Sequence, residues 1–222
     1  MPDGVSTYVD RVRDSLRGQV VLDAHVTGVS RTLASVSVER SGAGVERFDA
    51  VVIAVPPHRV LALLRDASEE EREWFGDYAG GEITTVLYTD TGPYERRAVK
   101  GFTEFDLFAF AQGGHGYNAY LNRLAGLSCT APPHYSLAFD MGAEIDPSTV
   151  VHRQQHEVAR YSAEALAKRA ALLAANGARR TYWAGAYLGD GLHEGAVRSA
   201  MAVSERLGGR TLSAPATADH PR

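Results

Sequence analysis

Cysteine is nearly absent: Cys129 is the only one in 222 residues. A lone thiol forms no internal disulfide, excludes a cysteine-cluster zinc site and suits a reducing cytoplasm. Lysine is scarce as well, with only Lys100 and Lys168, and the arginines are scattered rather than gathered into a basic block. The formal net charge of −4 argues against a nucleic-acid surface. No apolar run is long enough to cross a membrane. The polar stretch from Met1 to Tyr8 has no secretory-signal pattern, so a cytoplasmic location is expected. Also missing are a G-x-G-x-x-G fingerprint, a phosphate-binding P-loop and a Ser/His/Asp arrangement of hydrolytic type.

What remains is the composition of a globular protein, 45% hydrophobic and 23% charged, able to bury a sizeable core. Val9, Val12 and Leu16 recur at helical spacing and predict a helix from Ser6 to Leu16, ended by Gly18. Val20 to Leu22 reads as a short strand. "TLASVSVER" alternates, turns at "SGAG" (Ser41 to Gly44) and returns through Val45 to Phe48, a β-hairpin. "DAVVIAV" (Asp49 to Val55) is an unbroken apolar run, as expected of a strand buried on both faces of a parallel sheet. "HRVLALL" reads as helical. Ser68 and Glu71 form a capping box that opens a further helix, closed by Gly80-Gly81.

The middle of the chain reads as strand-rich: "ITTVLYTD", "DLFAFAQ", "YNAYLNRL" and "HYSLAFDM" are joined by Gly- and Pro-rich turns. An alanine-rich helix is expected from Glu157 to Asn176, then a strand in "RTYWAGAY" and a last helix from His193 to Leu207. That last helix would show Ala196, Ala200, Val203 and Leu207 on one face. The fold class expected is α/β with an α+β insert. Residues 1–55 and 178–208 would form one α/β layer, interrupted by a strand-rich, mixed-sheet substrate-type domain at 56–177 and followed by a loose tail at 209–222.

The stretch "YWAGAYLGDGLHEGAVRSAMAVSERL" (Tyr182 to Leu207) runs from a strand through a glycine-rich loop into a helix. A helix N-terminus offers backbone N–H groups and a partial positive charge. Gly189 and Gly191 would let backbone approach a ligand closely, and Gly195, Ala196 and Val197 would leave the first-turn amides reachable. Such a terminus can stabilise the anionic edge of a reduced flavin by the physics that binds phosphate.

"WAGAYLGDGLHEGAVRSAMAVSERLGG" resembles the C-terminal flavin-contacting motif of the flavin-containing amine oxidase superfamily, in particular its bacterial branch of predicted FAD-binding oxidoreductases. "PDGVSTYVDRV", "VVLDAHVTGVSR", "FDAVVIAVPPHRVLALL", "VLYTD" and "YNAYLNRL" resemble other segments of that family in the same order, so the likeness covers most of residues 2–208. It implies that Val26 meets the adenine through its backbone. It also implies that Gly185, Ala186, Tyr187, His193, Glu194, Gly195, Ala196 and Val197 line the flavin region. The activity implied is oxidation of a small or lipid-like substrate by hydride transfer to FAD, held noncovalently because Cys129 lies far upstream of the motif. No catalytic residue can be named, since neither lysine falls in a matching segment.

The sequence departs from the family in lacking the first G-x-G-x-x-G unit, and in carrying Leu192 and Gly195 where the branch has Phe and Asp. The pyrophosphate and ribose sites are therefore expected from a separate N-terminal dinucleotide-binding chain, or the chain is a fragment; a homo-oligomer is the other way to complete the fold. The rival reading is a flavin-free binding or scaffolding subunit descended from the family. Residue by residue, plain readings stand beside the functional ones. Glu194 can simply pair with Arg198 four residues on, His193 can be a loop-to-helix junction, and Gly185 to Tyr187 can be a strand end. "GFTEFDLFAF" is either core or the lining of an apolar channel. His193-Glu194 lacks the second histidine of a metalloprotease, since position 197 is Val197. His152 and His156, four apart, would share one face of a helix, but no third ligand accompanies them and no metal site is assigned.

Overall fold

A computed structural model describes residues 6–99 and 101–208. Contacts divide them into two units, one formed by the chain up to Asp77 together with the chain from Ala163 onward, the other by Tyr78–Ser162. In chain order the first unit contributes α1 (Ser6–Ser15), β1 (Val26–Arg31), β2 (Val36–Arg40), β3 (Gly44–Phe48), β4 (Val51–Ile53), α2 (Pro57–Leu63) and α3 (Glu69–Gly76). The second contributes β5 (Ala79–Tyr88), α4 (Gly92–Glu95), β6 (Phe105–Ala109), β7 (His115–Tyr120), α5 (Leu121–Leu124), β8 (Ser136–Phe139) and β9 (Val150–Arg160). The chain then returns to the first unit with α6 (Ala163–Ala167), α7 (Arg169–Ala174), β10 (Thr181–Trp183) and α8 (His193–Arg206). Helices and sheets alternate in the first unit and a strand-rich α+β block is inserted into it, which is the fold class expected. The expected tail at 209–222 lies outside the described residues, as does Lys100.

In the first unit β1, β2 and β3 form an antiparallel sheet, with Gly42 and Gly44 at positive φ making the turn between β2 and β3. β4 and β10 pair in parallel, Val51 opposite Thr181 and Ile53 opposite Trp183, although the whole second unit lies between them in sequence. Val20 to Leu22 is not a strand. A strand needs a neighbour for its backbone ladder, none is present among the described residues, and Leu22 is 79% exposed. The expectation of a β4 buried on both faces fails as well: β4 pairs only with β10 among the described residues, and although Ile53 is buried, Val52 remains 43% exposed. On α1 the predicted apolar stripe exists, yet Val9, Val12 and Leu16 are all exposed.

The capping box is present. Glu71 N donates to Ser68 Oγ at 3.2 Å and Ser68 N donates to Glu71 Oε2 at 2.8 Å. The helix it opens ends at Gly76; Gly80 and Gly81 belong to β5 instead of closing it. Glu71 also takes both terminal nitrogens of Arg31, at 2.5 and 2.7 Å, while Arg31 Nε reaches Asp66 at 3.0 Å. Arg179 binds the same two carboxylates. Burial works against the Arg31 charge, but the paired carboxylates more than offset it and its pKa is raised. This network ties β1, the start of α3 and the approach to β10 together across the sequence.

The second unit holds a five-stranded sheet in the order β6-β7-β8-β5-β9, antiparallel at every pairing and so not the mixed sheet expected of the insert. Val86, Tyr88, Tyr94, Phe108, Ala138, Met141 and Ile145 form its core. Tyr88 donates to Asn118 Oδ1 at 3.0 Å. Asn118 Nδ2 donates to the Tyr94 hydroxyl at 2.6 Å and to Ser136 Oγ at 3.2 Å, and Tyr94 donates to Asp106 at 2.7 Å. Burial pushes the Tyr88 phenol up to about 12, and burial and Asp106 raise that of Tyr94 further. The expected helix from Glu157 to Asn176 starts too early. Residues 157–160 complete β9, which pairs with β5 from Val150 to Arg160, and the helical part begins only at Ala163 and breaks at Lys168. Cross-strand pairing outweighs the helical periodicity there.

Candidate functional site: a glycine loop opening into helix α8

The candidate site is built on β10. Asn176 clamps the strand end, accepting from Trp183 N at 2.6 Å and donating to Trp183 O at 3.2 Å. Past the strand, Gly185 adopts a φ of +153° that disfavours a side chain, and its N–H donates to Ser199 Oγ of α8 at 2.9 Å. A Cβ on Gly185 would lie 2.6 Å from the Tyr187 ring. Ala186 to Leu188 make one 3-10 turn, with Tyr187 and Leu188 buried and Tyr187 edge-on to Phe75 at 6.3 Å. Gly191, at positive φ, then donates to Ala186 O and closes the loop.

The start of α8 carries an acidic cap that the motif reading passed over. Asp190 Oδ1 accepts from Leu192 N at 2.8 Å and from Gly195 N at 3.0 Å. The Leu192 amide, then that of Gly195, with Arg198 nearby, holds the Asp190 carboxyl below its ordinary value. An Asp ahead of a helical run is the usual sequence mark of such a cap, so this residue was readable. The role of Ser199 was not, because nothing in the sequence pairs it with Gly185.

The predicted residues separate into three sets. Gly185, Ala186, Tyr187 and Gly195 come together around the loop. His193, Glu194 and Val197 are exposed on the first turns of α8, with Ala196 half-buried behind them, and Glu194 pairs with Arg198 Nε at 2.7 Å. Val26 stands at the start of β1, in the three-stranded sheet. The face of α8 that packs is Gly195, Ser199 and Val203. Of the expected stripe, Val203 is buried and Ala196 half-buried, while Ala200 and Leu207 are exposed. A hollow of about 330 Å³ lies beside this contact, lined in part by Leu188, Gly189, Asp190, Gly195, Arg198 and Ser199.

The donor set suits only part of a dinucleotide cofactor. The amides of His193 and Glu194 head a helix of 14 residues, a place where an electron-rich edge is stabilised. The Gly195 amide is already engaged by Asp190. The glycine fingerprint that would cradle a pyrophosphate is absent from the sequence. Elsewhere, His152 and His156 lie on β9 rather than on a helix, with His156 Nε2 2.9 Å from Thr85 Oγ1. Within "GFTEFDLFAF", Phe108 is core and Phe102 stacks on Tyr120 at 4.5 Å. Phe105 is exposed and stacks on Tyr117 at 5.8 Å.

No protein-family model and no curated protein matches the chain. Solved structures do. Cyclohexylamine oxidase from Brevibacterium oxydans IH-35A matches with a TM-score of 0.62 at 17% identity, over 92% of this chain and 53% of that one. Putrescine oxidase, wild type bound to putrescine, matches with 0.58 at 12% identity, over 93% and 53%. A CLA-producing fatty acid isomerase from P. acnes matches with 0.55 at 13% identity, over 82% and 47%. The chain therefore shares its fold with two amine oxidases and a fatty acid isomerase, and spans about half the length of each.

Proposed function

We propose that this chain is the C-terminal share of an FAD-dependent, amine-oxidase-like oxidoreductase of the cytoplasm, completed by a separate dinucleotide-binding chain. The observation that carries the reading is the asymmetry of the match: nearly all of this chain superposes on only 53% of an amine oxidase. The parallel pair β4–β10, with Val52 exposed, agrees with it, because parallel strands are ordinarily buried within larger sheets. Among the matched structures is a putrescine oxidase whose cofactor binding was redesigned by substitution.

When bound, FAD would supply the hydride acceptor. The chain's own part is positioning. Gly185 and Ala186 would hold the backbone beside the flavin, and the His193 and Glu194 amides would stabilise negative charge on it. Asp190 fixes the angle at which α8 begins. The sheet side that carries Leu107, Tyr117 and Phe139 across β6, β7 and β8 would receive the apolar part of a small amine or a lipid-like substrate. The test is anaerobic addition of primary amines to the assembled, FAD-loaded protein. Loss of the visible flavin absorbance is expected, and an unchanged spectrum with amines, amino acids and fatty acids would refute an oxidoreductase.

A second reading, a flavin-free binding subunit, is favoured by one observation: the Asp190 carboxylate already occupies part of the α8 terminus that an anionic ring edge would use. That reading predicts a folded, assembled protein with no flavin.

A further inference from the structure

β9 is an edge strand of 11 residues, Val150–Arg160, paired only with β5 among the described residues. It carries no proline and no lysine, its one irregularity is an extra residue at Val151 near its start, and from His152 to Arg160 it pairs with β5 in unbroken register with most side chains exposed. A free edge of this length is a template for another strand. We infer that β9 pairs antiparallel with β9 of a second copy of this chain, joining the two five-stranded sheets into one.

The register follows from symmetry. Directly opposite residues of an antiparallel pair point to the same face of the sheet, and neighbours along a strand alternate. A two-fold axis between identical strands must therefore place one residue opposite its own copy. Centring on Gln155 sets Arg153 of each copy opposite Glu157 of the other, twice by symmetry, within the regular part of the strand. Centring on Gln154 sets Arg153 opposite Gln155 and His152 opposite His156. Centring on His156 sets His152 opposite Arg160 and Glu157 opposite Gln155. Among these registers only the Gln155-centred one pairs opposite charges, and cross-strand pairs of opposite charge stabilise a sheet while like charges oppose it. Arg153, Gln155 and Glu157 are exposed. The Gln155 side chain donates to Glu82 of the neighbouring β5 at 2.7 Å, which holds it flat along the sheet at the position of the axis. The inference stands whether or not the chain binds flavin.

The test is sedimentation equilibrium on the full chain. Wild type is expected to dimerise. Arg153→Glu and Glu157→Arg, each alone, put like charges opposite and are expected to raise the dimer dissociation constant tenfold or more. The double swap Arg153→Glu/Glu157→Arg restores the pairing and is expected to recover the wild-type constant. An equimolar mixture of the two single variants is expected to form a heterodimer, since both cross-pairs are then complementary. These are exposed positions, and circular dichroism checks that each variant keeps its fold. A wild-type chain that stays monomeric up to high concentration, a dimer that survives both single swaps, or a double swap that fails to recover would each overturn the inference.

Discussion

Gly189 and Gly195 meet so closely that a Cβ on Gly189 would lie 2.6 Å from the Cα of Gly195. The two glycines are the contact by which the loop after β10 lies on α8. A Cβ on Gly195 would in turn meet Asp190 Oδ1 at 2.5 Å and Asp190 N at 2.8 Å. Gly195→Ala is therefore expected to destabilise the chain by about 1–3 kcal/mol, the usual size of an overpacking cost, read as a lower urea midpoint. Gly191→Ala adds a side chain into open space and strains only its own positive φ, so its effect should be smaller. Equal loss at both positions would contradict the packing account.

Asp190 gives a pH signature. Its folded pKa lies below its ordinary value, chiefly through the Leu192 amide. A depressed carboxylate contributes stability that is present above the unfolded pKa, and lost as the pH falls through the folded one. Asp190→Ala should therefore be less stable than wild type at neutral pH, and the two should converge in acid below the normal aspartate range. Asp190→Asn, which keeps an acceptor oxygen, should lie between them. Urea midpoints measured from neutral to acid pH give the answer; a wild-type advantage that persists unchanged in acid would exclude this carboxylate as its source.

Arg31 has no exposed side-chain surface and binds Glu71 and Asp66. Arg31→Met leaves the Glu71 carboxylate buried, with the Ser68 amide at 2.8 Å and Arg179 at 3.4 Å as its remaining partners and Arg179 as its remaining counter-charge. The expected cost is about 3–5 kcal/mol. It should change little between low and moderate salt, because buried pairs are weakly screened. Thermal unfolding of the variant at two salt concentrations tests both statements.

In the second unit Asn118 joins Tyr88, Tyr94 and Ser136. Asn118→Leu leaves the Tyr88 hydroxyl without its acceptor inside the core, and should cost about 1–3 kcal/mol. The same change should expose no new tyrosine to solvent, so tyrosine fluorescence quenching of the folded state should stay as in wild type.

The sequence carried the fold where the local signals were self-sufficient. The Ser68–Glu71 box, the Ser41–Gly44 turn and the glycine loop before His193 are all visible in neighbouring residues, and each is found. It failed where structure depends on a distant partner. Glu157 sits in an alanine-rich run of helical period, but its place opposite Glu82 in the β5–β9 ladder settles it as strand. Val20 to Leu22 has strand composition and no neighbour to pair with. At the candidate site, the glycines at 185, 189 and 195 stood out by type, yet their reasons differ. Gly185 is required by its φ, and Gly189 and Gly195 by a mutual approach that no one-dimensional pattern contains.

The central claim, that α8 and its loop serve FAD in an assembled two-chain protein, is tested most directly by the visible absorbance of the purified chain. It should be measured alone and after co-expression with a neighbouring chain that bears G-x-G-x-x-G. The account predicts a colourless chain alone and a stoichiometric flavin spectrum in the co-purified complex, with flavin content lowered by Asp190→Ala. A folded complex that purifies without flavin would contradict it.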